Sequence, residues 1–251
     1  MKAIILAGGR GTRMGKLTQR VPKPLVKAAG KPLIRHALDL LIKNGVDEVG
    51  INLFYQGEKI KKYLGDGKKF GIKITYAEEK ELTGTAGAIK AVLKKTNFKT
   101  PFIVVPGDTL FNYDVARAYN THVKTGALLT ICCAYGPKNP IKDCGVMLFD
   151  KKTNKISRYV QKPQTREQII SRWASSGIYI VNPEILKHVP DSINDSPIVD
   201  LPGDVLPILL KSKIKIYAHP FNRNKFYMLG VNTPEELIQA ENDIRSGKFT
   251  L

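Results

Sequence analysis

The chain has 251 residues, 43% hydrophobic and 25% charged, enough for one large α/β domain or two small ones. No apolar run approaches bilayer length, and the three cysteines (Cys132, Cys133 and Cys144) lack the pairing of a disulfide framework or a zinc site. The net charge of +18 leans toward residues 1–75, yet no nucleic-acid module accompanies the lysine run at 59–73, which reads as solvated surface in a field that attracts phosphorylated molecules.

In chain order, Ala3–Leu6 is a short apolar strand that runs into glycines, too short for a signal-peptide core, which leads to the expectation of a cytoplasmic protein. Leu33–Lys43 has apolar residues at helical spacing, with Pro32 at its start and Gly45 beyond its end. Strands are expected at Val49–Phe54 and Ile72–Ala77, and a helix at Thr85–Leu93. Phe102–Pro106 (FIVVP) is a continuous apolar run of the kind buried on both faces. This alternation points to βα units on a largely parallel sheet. Beyond Asp108, strands are expected at Leu128–Tyr135, Gly145–Phe149 and Gly177–Val181, with loops at 136–145 and 190–204 and a helical pattern over Leu201–Leu210. Thr233, Pro234 and Glu236 form a capping-box start to a final helix carrying Leu237, Ala240 and Ile244 on one face. One domain over 1–251 is expected, with a nucleotide-binding half (1–108), a less regular inserted part (109–230) and the C-terminal helix (231–251).

Two segments carry the chemistry. In Leu6-Ala7-Gly8-Gly9-Arg10-Gly11-Thr12-Arg13-Met14, three glycines in four positions let the backbone approach a ligand, and successive amides form an anion-binding concavity. Arg13 adds donors suited to phosphate oxygens. The spacing is neither the dinucleotide fingerprint nor the Walker loop. In Pro22-Lys23-Pro24-Leu25, two prolines pin a lysine. A cation so placed suits stabilisation of charge in phosphoryl transfer.

Together these segments closely resemble the signature of the sugar-1-phosphate nucleotidyltransferases. The resemblance continues in order through Gly84-Thr85-Ala86-Gly87, Gly107-Asp108, Gln161-Lys162-Pro163, Gly177-Ile178-Tyr179, Asp204-Val205-Leu206-Pro207 and Gly230-Val231-Asn232-Thr233-Pro234. It implies a Rossmann-like three-layer α/β/α fold with a mostly parallel mixed sheet and an inserted sugar-binding lobe. It also implies transfer of a nucleotidyl group from a nucleoside triphosphate to a sugar 1-phosphate, with Mg2+ as cofactor. No hexapeptide pattern follows the last helix, so a β-helix domain is not expected.

The resemblance carries residue roles with it. Leu6, Ala7, Gly8, Gly9, Gly11, Thr12, Arg13, Lys23, Gly84, Thr85, Ala86 and Asp108 would contact the nucleotide. Arg13, Lys23 and Lys162 would be the catalytic cations. Gly107, Gly145, Gln161, Lys162, Ser175 and Gly177 would face the sugar phosphate. Asp108 would hold the metal, a role its place just past a buried strand also supports. The second ligand departs from the D-x-G-T pattern of many members: the G-V-N segment resembles the N-acetylglucosamine-1-phosphate uridylyltransferase branch and gives the role to Asn232. Gln161 stands where a glutamate is usual and Ser175 where an asparagine is, which leaves the sugar open.

A carboxylate can accept paired N–H donors of guanine, and Glu78, Glu79 or Glu81 could supply it, with Glu81 the expected contact. G-T-A-G-A resembles mannose-1-phosphate guanylyltransferases. Uridylyl, thymidylyl, adenylyl or cytidylyl transfer to a glucose-type phosphate is the alternative, and a non-catalytic nucleotide-sugar-binding protein is the rival from another class. No nucleic-acid or membrane partner is expected, and a homo-oligomer is compatible with the reading.

Overall fold

The computed structural model describes residues 1–136, 144–193, 195–222 and 226–251. The first half runs β1 (Lys2–Leu6), α1 (Leu17–Arg20), β2 (Lys27–Ala28), β3 (Lys31–Pro32), α2 (Leu33–Lys43), β4 (Glu48–Leu53), α3 (Gly57–Leu64), β5 (Lys73–Glu78), α4 (Gly84–Thr96) and β6 (Phe102–Pro106). There follow β7 (Thr109–Phe111), α5 (Val115–Thr125), β8 (Leu129–Tyr135), β9 (Val146–Phe149), β10 (Ile156–Val160) and β11 (Trp173–Val181). The chain ends with α6 (Leu206–Lys211), β12 (Ile216–Phe221), β13 (Met228–Gly230) and α7 (Pro234–Arg245).

The strands β6, β1, β4 and β5 lie side by side and parallel, the arrangement expected of apolar runs joined by helices. β11 then joins β6 antiparallel and carries β8 and β12 on its far side, with β9 and β10 beside its first half. Five strands of the 109–230 segment, β8 to β12, therefore extend the same sheet, while β7 and β13 pair with each other in a separate two-stranded sheet.

Alternate residues of β1 feed two cores. Ala3 and Ile5 pack with Ile34, Leu38 and Leu41 of α2 and Ile60 of α3, while Ile4 faces Ile89 and Val92 of α4 and Leu206 and Leu209 of α6. This is the expected three-layer α/β/α arrangement. A third cluster joins Met14, Val26 and Leu33 to Leu110, Val231 and Ala240, tying the glycine loop to β7 and α7.

Several elements depart from the sequence expectations. β11 begins at Trp173, four residues early, because left-handed Gly177 (φ +72°) bends the strand and shifts its register on β8. The 201–210 pattern opens with a wide turn, Val205 N–H donating to Asp200 C=O, before α6 begins. α3 and α5 escaped prediction because each has few apolar residues: α3 buries only Ile60 and Leu64, and α5 spends one of its core positions on His122. Within the 190–204 loop, Ile193 and Ser196 form a bridge; residue 194, and residues 137–143 of the 136–145 loop, lie outside the described residues.

Strand register positions the site. Leu6 of β1 pairs with Asn52 of β4 on one side and Pro106 of β6 on the other. The glycine loop, the end of β4 and Asp108 thus emerge together at the carboxyl edge of the sheet, where open α/β sheets bind ligands.

Candidate active site

The three glycines of the loop answer to different demands. A Cβ on Gly8 would lie 2.6 Å from Asn52 Nδ2, so a buried polar group forbids a side chain there. Gly11 is left-handed (φ +67°), and a Cβ would fall 2.8 Å from Lys23 Cβ. Gly9 is exposed with open space above it, so its backbone is free to meet a ligand. The loop closes as a short turn at Thr12–Met14, with Met14 N–H and Thr18 Oγ1 both donating to Gly11 C=O. Buried Met14 anchors it, leaving Thr12 and Arg13 exposed.

Lys23 is the hub of the site. Its side chain is 9% exposed, and Nζ donates to Asp108 Oδ2 at 2.6 Å and to Asn232 Oδ1 at 2.8 Å. Arg13 donates to the same Asn232 oxygen at 3.0 Å. Four sequence-predicted residues from four separate segments therefore converge within hydrogen-bonding distance. A buried ammonium needs such partners, since an unpaired one would be strongly destabilising.

The supports behind these groups are backbone and cap interactions. Asp108 follows Gly107, whose N–H donates to Leu6 C=O, and Asp108 C=O accepts from Val231 N–H. That bond and the antiparallel pairing of β7 with β13 bring Asn232 alongside Asp108. Glu236 Oε2 accepts from the Asn232 and Thr233 amides at 2.5 and 3.0 Å, so the capping box of α7 also fixes Asn232.

A hard carboxylate oxygen and a hard amide oxygen, both within 2.8 Å of one point, suit Mg2+, which keeps waters and takes substrate phosphates for its remaining positions. Among the described residues no cluster of three or more His, Cys, Asp or Glu forms an all-protein cage.

On the other flank, Asn52 links two segments. Its Oδ1 accepts from Ala7 N–H at 2.8 Å, and its Nδ2 donates to Glu79 Oε2 at 2.6 Å. Thr83 Oγ1 donates to Glu79 Oε1. Glu79 is thus the carboxylate bound beneath the glycine loop, whereas Glu81 is exposed. The Gly84-Thr85-Ala86 segment docks on residues 199–201: Ala86 N–H donates to Val199 C=O, and Thr85 donates to Asp200 through backbone and hydroxyl. Left-handed Gly84 is required there, because a Cβ would lie 2.5 Å from Val199 O. Asn52 and Asp200 had no signal in the sequence beyond a polar residue within, or next to, an apolar run.

The expected sugar-side residues form a second constellation. A Cβ on Gly145 would fall 1.8 Å from Tyr159 Oη and 2.7 Å from Gln161 Oε1. Tyr159 donates to Gln161 Oε1 at 2.7 Å, and Ser175 N–H donates to Gly145 C=O at 2.8 Å. Ser175 Oγ accepts from Gly177 N–H at 3.3 Å. Lys162 adopts a left-handed backbone (φ +46°), with its N–H on Cys144 C=O and its side chain exposed. Burial raises the Tyr159 phenol far above its ordinary value, keeping it a neutral donor, and pushes Tyr179 up to about 12. Burial also raises the thiols of Cys132 and Cys133, which sit inert in β8.

Comparison with known proteins finds relatives over nearly the whole chain. Residues 2–247 match the nucleotidyl transferase family. The chain is 33% identical over 228 residues to a UTP–glucose-1-phosphate uridylyltransferase of Synechocystis, covering 87% of this chain and 57% of that one. It is 35% identical over 248 residues to a mannose-1-phosphate guanyltransferase of Saccharomyces cerevisiae, covering 96% of this chain and 63% of the relative. The chain therefore spans about three-fifths of the length of these curated relatives. A Bacillus anthracis structure assigned as a glucose-1-phosphate thymidylyltransferase shares the fold, with a TM-score of 0.85, 21% identity and coverage of 100% and 98% of the two chains. With matching sequence over nearly its whole length and the same fold, the chain belongs to the nucleotidyl transferase family.

Proposed function

We propose that the protein transfers a nucleotidyl group from a nucleoside triphosphate to a sugar 1-phosphate and releases pyrophosphate. The observation that carries this reading is the convergence of Arg13, Lys23, Asp108 and Asn232 at the foot of the glycine loop. An oxygen of the sugar 1-phosphate attacks the α-phosphorus in line with departing pyrophosphate. That oxygen is already anionic near neutral pH, so the task is to hold two polyanions together and stabilise the leaving charge. The open backbone at Gly9 and the Arg13 guanidinium meet the triphosphate, Lys23 stabilises developing charge, and Lys162 grips the sugar phosphate. Asp108 and Asn232 would hold Mg2+, which supplies charge neutralisation at the phosphates. Tyr159, Gln161 and the Gly145 and Ser175 backbone form the sugar contact surface.

Guanylyl transfer to a mannose-type phosphate is the best reading of the substrates, supported by Glu79 beneath the glycine loop and by the Saccharomyces relative. Uridylyl transfer to glucose 1-phosphate is the alternative, supported by the Synechocystis relative. Cytoplasmic nucleotide and sugar phosphate pools would supply either reaction. Among the described residues no helix is long and apolar enough to cross a membrane.

Pyrophosphate release across five nucleoside triphosphates and several sugar 1-phosphates with Mg2+ tests the reading. Turnover is expected to be highest with GTP and mannose 1-phosphate. Nucleotide binding without turnover in any combination would favour a non-catalytic binding protein. Asp108→Ala is expected to abolish turnover with the circular dichroism spectrum unchanged; near-normal activity would remove Asp108 from the metal site.

A further inference from the structure

Lys23 Nζ engages the two oxygens that the proposed reading gives to a divalent cation, one on Asp108 and one on Asn232. An ammonium and a divalent cation cannot share those oxygens at contact distance without strong repulsion. Arg13 adds a second positive group on the Asn232 oxygen, so that one amide oxygen already accepts from two cations. The Lys23 backbone has little freedom to yield. Pro22 and Pro24 flank it, Leu25 N–H donates to Pro22 C=O, and Val26 N–H donates to Lys23 C=O. Any release of the two oxygens must therefore come from the side chain. Gly11 of the glycine loop packs on that side chain, its Cβ position 2.8 Å from Lys23 Cβ and 3.3 Å from Lys23 Cδ. The element that would receive the triphosphate thus touches the stem of the lysine that holds the metal ligands.

We propose that Lys23 gates the cation site: it keeps a divalent cation off Asp108 and Asn232 until a triphosphate offers its ammonium other acceptors. The metal then enters with the nucleotide and not before it. The gate rests on the reading of Asp108 and Asn232 as cation ligands. Phosphate oxygens at the glycine loop draw Lys23 Nζ and the Arg13 guanidinium away from Asn232, and the two freed oxygens turn to the metal. A polyanion and a dication thereby bind cooperatively at a site that resists the dication alone.

Manganese titrated into the full chain, read by loss of its free-ion EPR signal, tests the gate. Wild type should bind Mn2+ weakly, and Lys23→Met should bind about tenfold or more tightly, since a competing charge is gone. Introducing Asp108→Asn into Lys23→Met should erase the gain. Equal affinities in wild type and Lys23→Met, or a gain that survives Asp108→Asn, overturn the proposal. Circular dichroism checks that each variant folds. A measurement on wild type alone stands beside the variants: water-proton relaxation enhancement, which separates protein-bound Mn2+ from Mn2+ on free nucleotide. Enhancement should appear only once α,β-methylene GTP is added, and enhancement of equal size without nucleotide overturns the gate. Pyrophosphate release by the wild type, across the same nucleotides and sugar 1-phosphates, separates the two readings. Turnover with equal Mn2+ affinities refutes the gate alone, whereas tightened Mn2+ binding without turnover supports the gate and refutes the enzyme reading.

Discussion

Asn52, 4% exposed at the carboxyl end of β4, serves two partners through the two ends of one amide. Asn52→Asp keeps the acceptor for the Ala7 amide but replaces the donor to Glu79 with a second carboxylate. Two like charges at hydrogen-bonding distance, one of them newly buried, should cost about 2–3 kcal/mol of stability. The KM for nucleoside triphosphate should rise while that for sugar 1-phosphate changes little. Urea unfolding and the two KM values check this, and equal shifts in both KM values would refute the coupling to the nucleotide side. At this scale the sequence was legible where residue type and chemistry coincide. Arg13, Lys23, Asp108 and Asn232 stand in short segments whose glycines and prolines have strict backbone consequences. Asn52 was silent, because one polar residue in an apolar strand has no pattern around it. Nor does spacing distinguish Glu79 from Glu81: only the turn of the chain after β5 decides which carboxylate points beneath the loop.

Among the elements, α7 does more than cover the core. Its capping box joins Thr233 Oγ1 to the Glu236 amide, and Glu236 holds the amides of Asn232 and Thr233. Thr233→Ala should cost about 1 kcal/mol, as the loss of an N-cap side chain does. It should also loosen Asn232, so activity at low Mg2+ should fall more than activity at saturating Mg2+. A melting curve and a Mg2+ titration of turnover measure both effects. This helix start was readable because Thr, Pro and Glu at fixed offsets leave few other conformations. The long β-branched strands of the first half were readable for a similar reason. β7 and β13 were not: each has three residues, and they pair only because α7 and the third hydrophobic cluster bring them together. β12 was hidden by Pro220, which sits at a strand on the sheet margin, where an N–H can be spared.

Across the whole molecule, three of the four histidines are buried: His36, His122 and His219. Burial lowers all three below their ordinary value of 6.5, His122 to about 4. His122 Nδ1 lies 2.9 Å from Thr130 Oγ1, and its Nε2 has no partner, so a proton there would be uncompensated. Between these two values the unfolded chain binds the proton and the folded chain does not. Stability should therefore fall as pH drops from about 6.5 toward 4, with His122 contributing at most about 3 kcal/mol. His122→Asn, which keeps a polar atom near Thr130, should lower stability at neutral pH and flatten this slope. Urea unfolding at several pH values decides it, and an unchanged slope would refute the assignment. The overall architecture was legible because alternation of strand and helix is a pattern in every segment. The extension of the main sheet by β11, β8 and β12 was not, since antiparallel joining depends on long-range contacts that no local run encodes.

The pairing of β13 with β7 also has a consequence for how the protein comes into being. Lys23 and its partner Asn232 are separated by 209 positions. A ribosome would have released the glycine loop and all four parallel strands long before Asn232 emerged. Until then the growing chain holds one of the two oxygens that Lys23 Nζ bridges. The Lys23 hub would therefore be completed at one event, after the four parallel strands have emerged: the seating of a three-residue strand.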